Sequence, residues 1–210
     1  MRKIILAMIS LLYITTFQAQ QKAVTENGEE VLLYEDGTWK YQNEEEISDN
    51  ETPTNSISFK KDNASTFLLK SNKFNVGFWL NPKLWSFKKA TEASEAEYKL
   101  ILKSGDIYGM IITEKVEIPL ETLKSIALEN GKTAAPDLKI VKEEYRVVNG
   151  NKILLLQMTG TIKGIKFSYY GYYYSNKNGT VQFITYSSKS LLESNKTKIE
   201  SLLNGLVELN

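Results

Sequence analysis

From residue 59 to the end of the chain, apolar and polar residues alternate in short runs separated by turn-forming residues. A period of two places successive side chains on opposite faces of an extended chain, so these runs predict strands. Tight turns such as Asn149-Gly150 and Ser104-Gly105 join neighbouring runs. Strands joined by short turns pair antiparallel, and the pattern therefore predicts a mainly antiparallel sheet.

Two segments have the longer period of an amphipathic helix. The first opens after Pro119, which suits the first turn of a helix, and is expected to stop at Asn130-Gly131. The second begins near Ser188, and its apolar stripe consists of Leu192, Ile199, Leu202, Leu203 and Leu206. Because each helix has one apolar face, both are expected to pack on the sheet. Residues 59–210 are thus predicted to form an α+β layered domain.

A separate and smaller β pattern occupies residues 21–42. The dipeptides Asn27-Gly28 and Asp36-Gly37 favour tight hairpin turns, so this segment predicts a three-stranded meander. A sheet of this size is marginally stable alone. The apolar side chains expected on one of its faces are Val31, Leu33 and Trp39. This face is expected either to pack on the main domain or to dock on a partner or the cell envelope.

The first twenty residues have the layout of a secretory signal peptide. Arg2 and Lys3 precede an uncharged apolar run at 4–17, and the small residue Ala19 follows it. The run is short for a membrane span, although an uncleaved anchor is the alternative reading. No Cys follows the run, which excludes a lipoprotein, and no later stretch is long enough to cross a bilayer. We therefore expect an exported, soluble protein in the periplasm or outside the cell.

The segment at 43–58 is acidic, polar and nearly free of apolar residues, which is typical of a flexible linker. The predicted organisation is accordingly a signal peptide at 1–20, a β meander at 21–42, a linker at 43–58 and the α+β domain at 59–210.

Composition removes several kinds of chemistry. The chain has no His and no Cys, so it has no Cys or His nucleophile, no Ser-His-Asp triad, no usual zinc site and no disulfide. A net charge of +1 argues against a nucleic-acid partner. The pair Ser86 and Lys89 matches a Ser-x-x-Lys pattern, but its companion motifs are missing. No catalytic residue, metal site or cofactor is therefore predicted, and a hydrolase using Ser86 or paired carboxylates is the weakest hypothesis.

The most unusual stretch is the aromatic strand at 167–174. Alternation places Phe167, Tyr169, Gly171 and Tyr173 on one face and Tyr170, Tyr172 and Tyr174 on the other. One set is expected in the core, and the other is either core as well or a stacking surface for a sugar or peptide. Trp85 follows a turn and is expected to be exposed. The candidate binding residues are Trp39, Trp85, Tyr170, Tyr172 and Tyr174.

The order of elements in the main domain resembles the PsbP-like superfamily, the group of PsbP, Mog and DcrB. The residues that carry the resemblance are Phe78-Trp79 with Pro82 and Trp85, the helix after Ile118-Pro119, the strands at 144–148 and 153–160, and the segment 183–187. The sequence DGTW at 36–39 resembles a stretch that follows the leader in many exported proteins of Gram-negative bacteria. The superfamily resemblance implies a domain that binds or assembles with other proteins and has no shared active site.

These observations favour a non-catalytic exported protein whose PsbP-like domain binds a protein partner at the cell envelope. A small-ligand or glycan-binding protein that uses an aromatic strand surface is the alternative.

Overall fold

The structure, a computed structural model, describes residues 21–24, 30–34, 37, 39–41, 52–91 and 94–209. The chain divides into two compact units, Met1–Asn50 and Glu51–Asn210. The predicted signal peptide at 1–20 and residues 43–51 of the predicted linker lie outside the described residues.

The described part of the first unit is a three-stranded antiparallel meander. Its strands are β1 (Gln21–Val24), β2 (Glu30–Leu33) and β3 (Trp39–Tyr41). In the turn before β3, Gly37 has a φ of 82° and its N–H donates to the carbonyl of Tyr34 at 3.1 Å. Glycine adopts such a φ without steric cost, which is why this turn can be predicted from sequence. The predicted meander is confirmed, while its other predicted turn lies outside the described residues.

The second unit contains eleven strands and three helices within its described residues. In chain order they are β4 (Thr54–Phe59), β5 (Phe67–Lys70), β6 (Val76–Leu80), β7 (Trp85–Lys89), β8 (Tyr98–Leu102), β9 (Tyr108–Glu114), α1 (Leu120–Lys132), β10 (Lys139–Val148), β11 (Asn151–Ile162), β12 (Ile165–Asn176), β13 (Gly179–Ser188), α2 (Lys189–Ser194), α3 (Lys196–Leu203) and β14 (Leu206–Glu208).

Eight of these strands form the main sheet in the order β4-β10-β11-β12-β13-β9-β8-β7. Every neighbouring pair is antiparallel except β4 with β10, which is parallel. A smaller antiparallel sheet has the order β14-β6-β5. The prediction of a mainly antiparallel sheet is confirmed.

Strand β4 corrects the prediction that the linker extends to residue 58. Its residues pair with β10, with Thr54 opposite Tyr145 and Phe59 opposite Val148. The polar sequence of β4 is tolerated because the strand lies at the sheet edge and its side chains are mostly exposed, including Ile57 at 61%. Because these side chains are mostly exposed, the sequence of β4 has no apolar alternation from which a strand could be predicted.

The main sheet has two unlike faces. The first, which we call the covered face, carries most of the core and packs against the small sheet together with α2 and α3. The second, which we call the α1 face, packs against α1 mainly through β11 and β12. Buried side chains on the α1 face are Leu154, Leu156, Met158, Tyr173 and Ile184. This layering confirms the predicted α+β architecture.

Helix α1 begins directly after Pro119, as predicted, but it continues through Gly131 to Lys132. Gly131 does not terminate the helix. A Cβ at this position would overlap the end of the Leu138 side chain, so glycine lets the helix and the segment that follows it pack closely without moving that side chain.

The predicted C-terminal helix is two helices, which makes three in the described residues in place of the expected two. Asn195 separates α2 from α3 with φ −112° and ψ 15°, a conformation outside the helical region. After α3 the chain turns at Gly205, so Leu206 lies in β14 and not on the expected helical stripe. None of the helices that the structure describes has the length and apolar character needed to cross a membrane.

Candidate binding surface

The aromatic residues proposed from sequence as an exposed surface are buried wherever their side chains are described. Trp85 is 2% exposed and belongs to the main core, while Tyr170, Tyr172 and Tyr174 are at most 5% exposed. The side chain of Trp39 lies outside the described residues. The expectation that Trp85 is exposed is wrong, because the turn before β7 directs this residue onto the covered face. The three tyrosines likewise offer no stacking surface to a ligand.

The buried tyrosines instead belong to a polar network that connects the main sheet to α3. The hydroxyl of Tyr170 donates to Glu200 at 2.5 Å, and that of Tyr172 donates to Asn204 Oδ1 at 2.8 Å. The Arg146 guanidinium donates to the Tyr172 hydroxyl at 2.8 Å. Buried hydroxyl groups require such partners, so the network fixes α3 against the sheet.

Charges in this network are paired. Arg146 is 3% exposed and lies 2.6 Å from Glu144 and 3.2 Å from Glu200. Burial acts to raise the pKa of Glu144, but hydrogen bonds from Arg146 and Asn55 outweigh it and lower the pKa. Burial raises the pKa of Tyr172 to about 12. At neutral pH the carboxylate of Glu144 is therefore charged and the phenol is neutral, an arrangement that stabilises the fold and leaves no group poised for proton transfer.

The Ser-x-x-Lys pair is not a catalytic pair. Ser86 and Lys89 lie three residues apart on strand β7, so their side chains point to opposite faces of the sheet. The hydroxyl of Ser86 donates to the carbonyl of Ile101 at 3.5 Å. Among the residues that the structure describes, no group of three or more acidic side chains is arranged to hold a metal ion.

An exposed aromatic surface does exist, on the part of the α1 face that α1 leaves uncovered. Tyr169 on β12, Tyr186 on β13, Tyr108 on β9 and Ile101 on β8 lie directly opposite one another across the sheet. We call these four residues the open-face row. Tyr169 and Tyr186 are half-buried, while Tyr108 and Ile101 at the end of the row are 38% and 40% exposed.

The rings of the open-face row contact one another. Tyr108 and Tyr186 are stacked, with ring centroids 5.7 Å apart and an interplanar angle of 25°. Tyr186 also contacts Tyr169 at 6.1 Å and Phe167 at 5.9 Å. Packed aromatic rings of this kind give a surface with few accessible rotamers, so a partner can cover it at a low cost in conformational entropy.

A shallow depression of about 290 Å³ lies beside the exposed end of the row. The side chains that border it are Ser86, Lys88, Lys99, Ile101, Tyr108 and Tyr186. A second depression of about 150 Å³ lies nearer the end of α1, bordered in part by Tyr169 and Tyr173. The two recesses lie on the same face of the sheet, and each is bordered by residues of the open-face row.

The open side of this surface is basic. Strands β7 and β8 place Lys88 and Lys99 on this face, and neither strand contains an acidic residue. Lys88 and Lys99 lie directly opposite one another, an arrangement in which like charges destabilise a sheet. Neither lysine has an ion-pair partner in the described part of the chain. The surface is thus complementary to a ligand that combines apolar groups with negative charge.

The alternation along β12 predicted its two faces correctly, but the set proposed as exposed, Tyr170, Tyr172 and Tyr174, is the buried one. Tyr169 and Phe167 are on the partly open side, whereas Tyr170, Tyr172 and Tyr174 are in the core. Tyr108 and Tyr186 were missed, because they lie on strands far apart in sequence and meet only through the pairing of β9 with β13. The position of Tyr186 could have been inferred from the sequence, because the predicted β12–β13 hairpin places it opposite Tyr169.

No model of a known protein family matches the chain, and no curated protein matches it. Among solved structures, cyanobacterial PsbP (CyanoP) from Synechocystis sp. PCC 6803 matches with a TM-score of 0.53 and 14% identity, over 69% of this chain and 93% of that chain. A protein of unknown function from Pseudomonas aeruginosa, called a putative regulator, has a TM-score of 0.43 and 11% identity, over 69% and 97% of the two chains. A protein from Bacteroides thetaiotaomicron has a TM-score of 0.46 and 12% identity, over 68% and 48%.

At 14% identity the similarity to cyanobacterial PsbP concerns the fold alone. The described main domain therefore has a PsbP-like fold, and the resemblance predicted from the order of its elements is confirmed at that level.

Proposed function

We propose that this chain is an exported, non-catalytic protein whose PsbP-like domain binds an acidic segment of a protein partner at the cell envelope. The observation that carries the proposal is the open-face row, an aromatic surface that ends in exposed Tyr108 and Ile101. It is bordered by Lys88 and Lys99, which have no ion-pair partner among the described residues. Exposed apolar surface of this kind, with polar residues at its rim, is typical of interaction sites.

The chemistry of the chain supports a role without catalysis. His and Cys are absent, the Ser86 and Lys89 side chains diverge, and the charges around Arg146 are paired. The signal-peptide pattern at 1–20 supports export, and the PsbP-like fold is compatible with an assembly role.

Partner capture in the native envelope tests the proposal. The protein carrying residues 21–210 would be crosslinked in its own envelope, and the captured partner would be identified, purified and titrated against it. We expect Tyr108→Ser to lower the affinity at least about tenfold, since it removes an exposed aromatic contact worth more than about 1.4 kcal/mol. The matched control is Ile57→Ser on β4, which also removes an exposed apolar side chain but lies at the opposite edge of the sheet.

Equal loss of affinity in both variants, or in neither, would refute the role of the open-face row. A chain that begins at residue 43 tests which part of the protein binds the partner. If it captures the same partner, the PsbP-like domain carries the binding surface, whereas loss of capture would assign binding to the meander at 21–42.

A small-ligand or glycan-binding role is the second candidate, and the depression of about 290 Å³ beside Tyr108 favours it. Aromatic faces stack on sugar rings, so quenching of tyrosine or tryptophan emission by saccharides, lost in Tyr108→Ser, would support it. Tight binding of a saccharide in the absence of any protein partner would replace the first candidate with the second.

A further inference from the structure

Strand β7 is the last strand of the main sheet, so one of its backbone edges has no neighbouring strand within the described residues. The hydrogen bonds at its two ends fix which residues face this edge. The N–H of Lys103 donates to the carbonyl of Leu84 at 2.9 Å, and the N–H of Ala90 donates to the carbonyl of Glu97 at 3.0 Å. In an antiparallel ladder every second residue bonds to the neighbouring strand, so the even-numbered residues between these two pairs bond to β8.

Ser86 and Lys88 are those residues, each with its partner on β8. The N–H and C=O groups of Phe87 and Lys89 consequently point away from the sheet. No hydrogen-bond partner for these groups is present among the described residues. The edge therefore presents the backbone pattern that an additional antiparallel or parallel strand requires.

Side chains on the two sides of this edge differ in character. Lys88 lies on the α1 face beside the open-face row, opposite Lys99. On the other side, Phe87 contacts Phe67 at a centroid distance of 5.2 Å, and the two rings are 38% and 41% exposed. A strand placed along β7 would meet Lys88 on one of its faces, and the paired rings of Phe87 and Phe67 together with Lys89 on the other.

A second copy of this chain is a poor occupant of the edge. Pairing β7 with β7 of another copy would bring Lys88 and Lys89 close to the same lysines, and exposed edge lysines are a device against such pairing. The same lysines attract an acidic segment, and they therefore favour an acidic partner over a basic one.

The geometry points to addition of an extended segment of the partner to β7 as a ninth strand of the main sheet, with acidic side chains beside Lys88 and apolar side chains beside Phe87. This inference rests on the proposed function, because the segment belongs to the same acidic partner. Its residues opposite Phe87 and Lys89 hydrogen bond to β7 and carry the apolar side chains. The residues between them carry the acidic side chains and turn their N–H groups to solvent.

The test uses fluorescein-labelled hexapeptides of alternating Glu and Val and the protein carrying residues 21–210. N-methylation of the three Val residues removes the N–H groups that face β7, and N-methylation of the three Glu residues removes the solvent-facing ones. We expect the first change to weaken binding at least about fivefold, because it removes two backbone hydrogen bonds to β7, while the second has little effect. Lys88→Glu should also weaken binding, and Lys60→Glu, an exposed lysine next to β4, should not.

Equal effects of the two N-methylated peptides, or no binding of the unmodified peptide, would overturn strand addition. If the purified partner still binds in a manner that depends on Tyr108, the proposed function survives that failure. If neither the peptide nor a partner depends on Lys88 or Tyr108, both proposals fail.

Discussion

Tyr170 shows how a side chain that looks suited to a ligand can be required by the fold. Its ring is fully buried and its hydroxyl donates to the Glu200 carboxylate at 2.5 Å. Tyr170→Phe keeps the ring and removes this donor, so we expect the free energy of unfolding to fall by about 1–2 kcal/mol in urea titrations. Tyr108→Phe removes an exposed hydroxyl and should change it by less than about 0.5 kcal/mol. Equal stability of the two variants would contradict the structural role of the network.

Tyr172 makes stability depend on pH at the alkaline end. Burial raises its pKa from the ordinary 10.0 to about 12. The unfolded chain loses this proton at a lower pH than the folded one, so the stabilisation is complete below the unfolded pKa and declines as the pH rises towards the folded one. The decline from this residue is at most about 1.4 kcal/mol per pH unit. Urea unfolding above pH 10 should therefore show a shallower decline in Tyr172→Phe, and an unchanged slope would contradict this assignment.

At the scale of elements, short sequence motifs were sufficient to predict the hairpins, but they were not sufficient to predict strand β4 or the break between α2 and α3. Asn149-Gly150 forms the turn between β10 and β11, with positive φ at both residues, as such a dipeptide predicts. Strand β4 has no such signal, because its pairing with β10 joins residues far apart in sequence. The break at Asn195 was also missed, since the apolar spacing continues across it and only the backbone reveals two helices.

The connection between α3 and β14 depends on Gly205. A Cβ at this position would overlap the backbone carbonyl of Trp79. The backbone N–H of Trp79 also donates a hydrogen bond to the carbonyl of Gly205 at 2.8 Å. The backbone of β6 cannot move without breaking this bond, so Gly205→Ala should cost about 3 kcal/mol or more. Gly105→Ala is the matched control, because no atom lies within 4 Å of its added Cβ. Thermal unfolding of both variants measures the difference, and similar melting temperatures would refute the steric explanation.

At the scale of the whole molecule, the candidate surface follows from how unevenly the sheet is covered. Sequence periodicity shows that a strand has two faces, but it does not show which face lies under a helix and how far along the sheet that helix reaches. Helix α1 packs mainly on β11 and β12, which leaves Tyr108 and Ile101 exposed on β9 and β8. The sequence could therefore predict that the candidate surface is aromatic and lies on the sheet. It could not predict on which face and at which strands this surface is exposed.

Lys88 and Lys99 lie opposite one another on the open side of the sheet, so a single variant can change partner affinity and the free energy of unfolding in opposite directions. Lys99→Glu replaces a like-charge pair with Lys88 by an opposite-charge pair, which should raise the free energy of unfolding by about 0.2–1 kcal/mol. The same change places a negative charge where the acidic partner docks, so partner affinity should fall about tenfold or more. A residue that only stabilises the fold would leave the affinity of the folded protein for its partner unchanged. Urea unfolding and titration of the purified partner measure the two effects, with Lys60→Glu as the control. If Lys99→Glu leaves partner affinity unchanged, the open side of the sheet is not the binding surface, and if it weakens the fold, the like-charge pair with Lys88 is not destabilising.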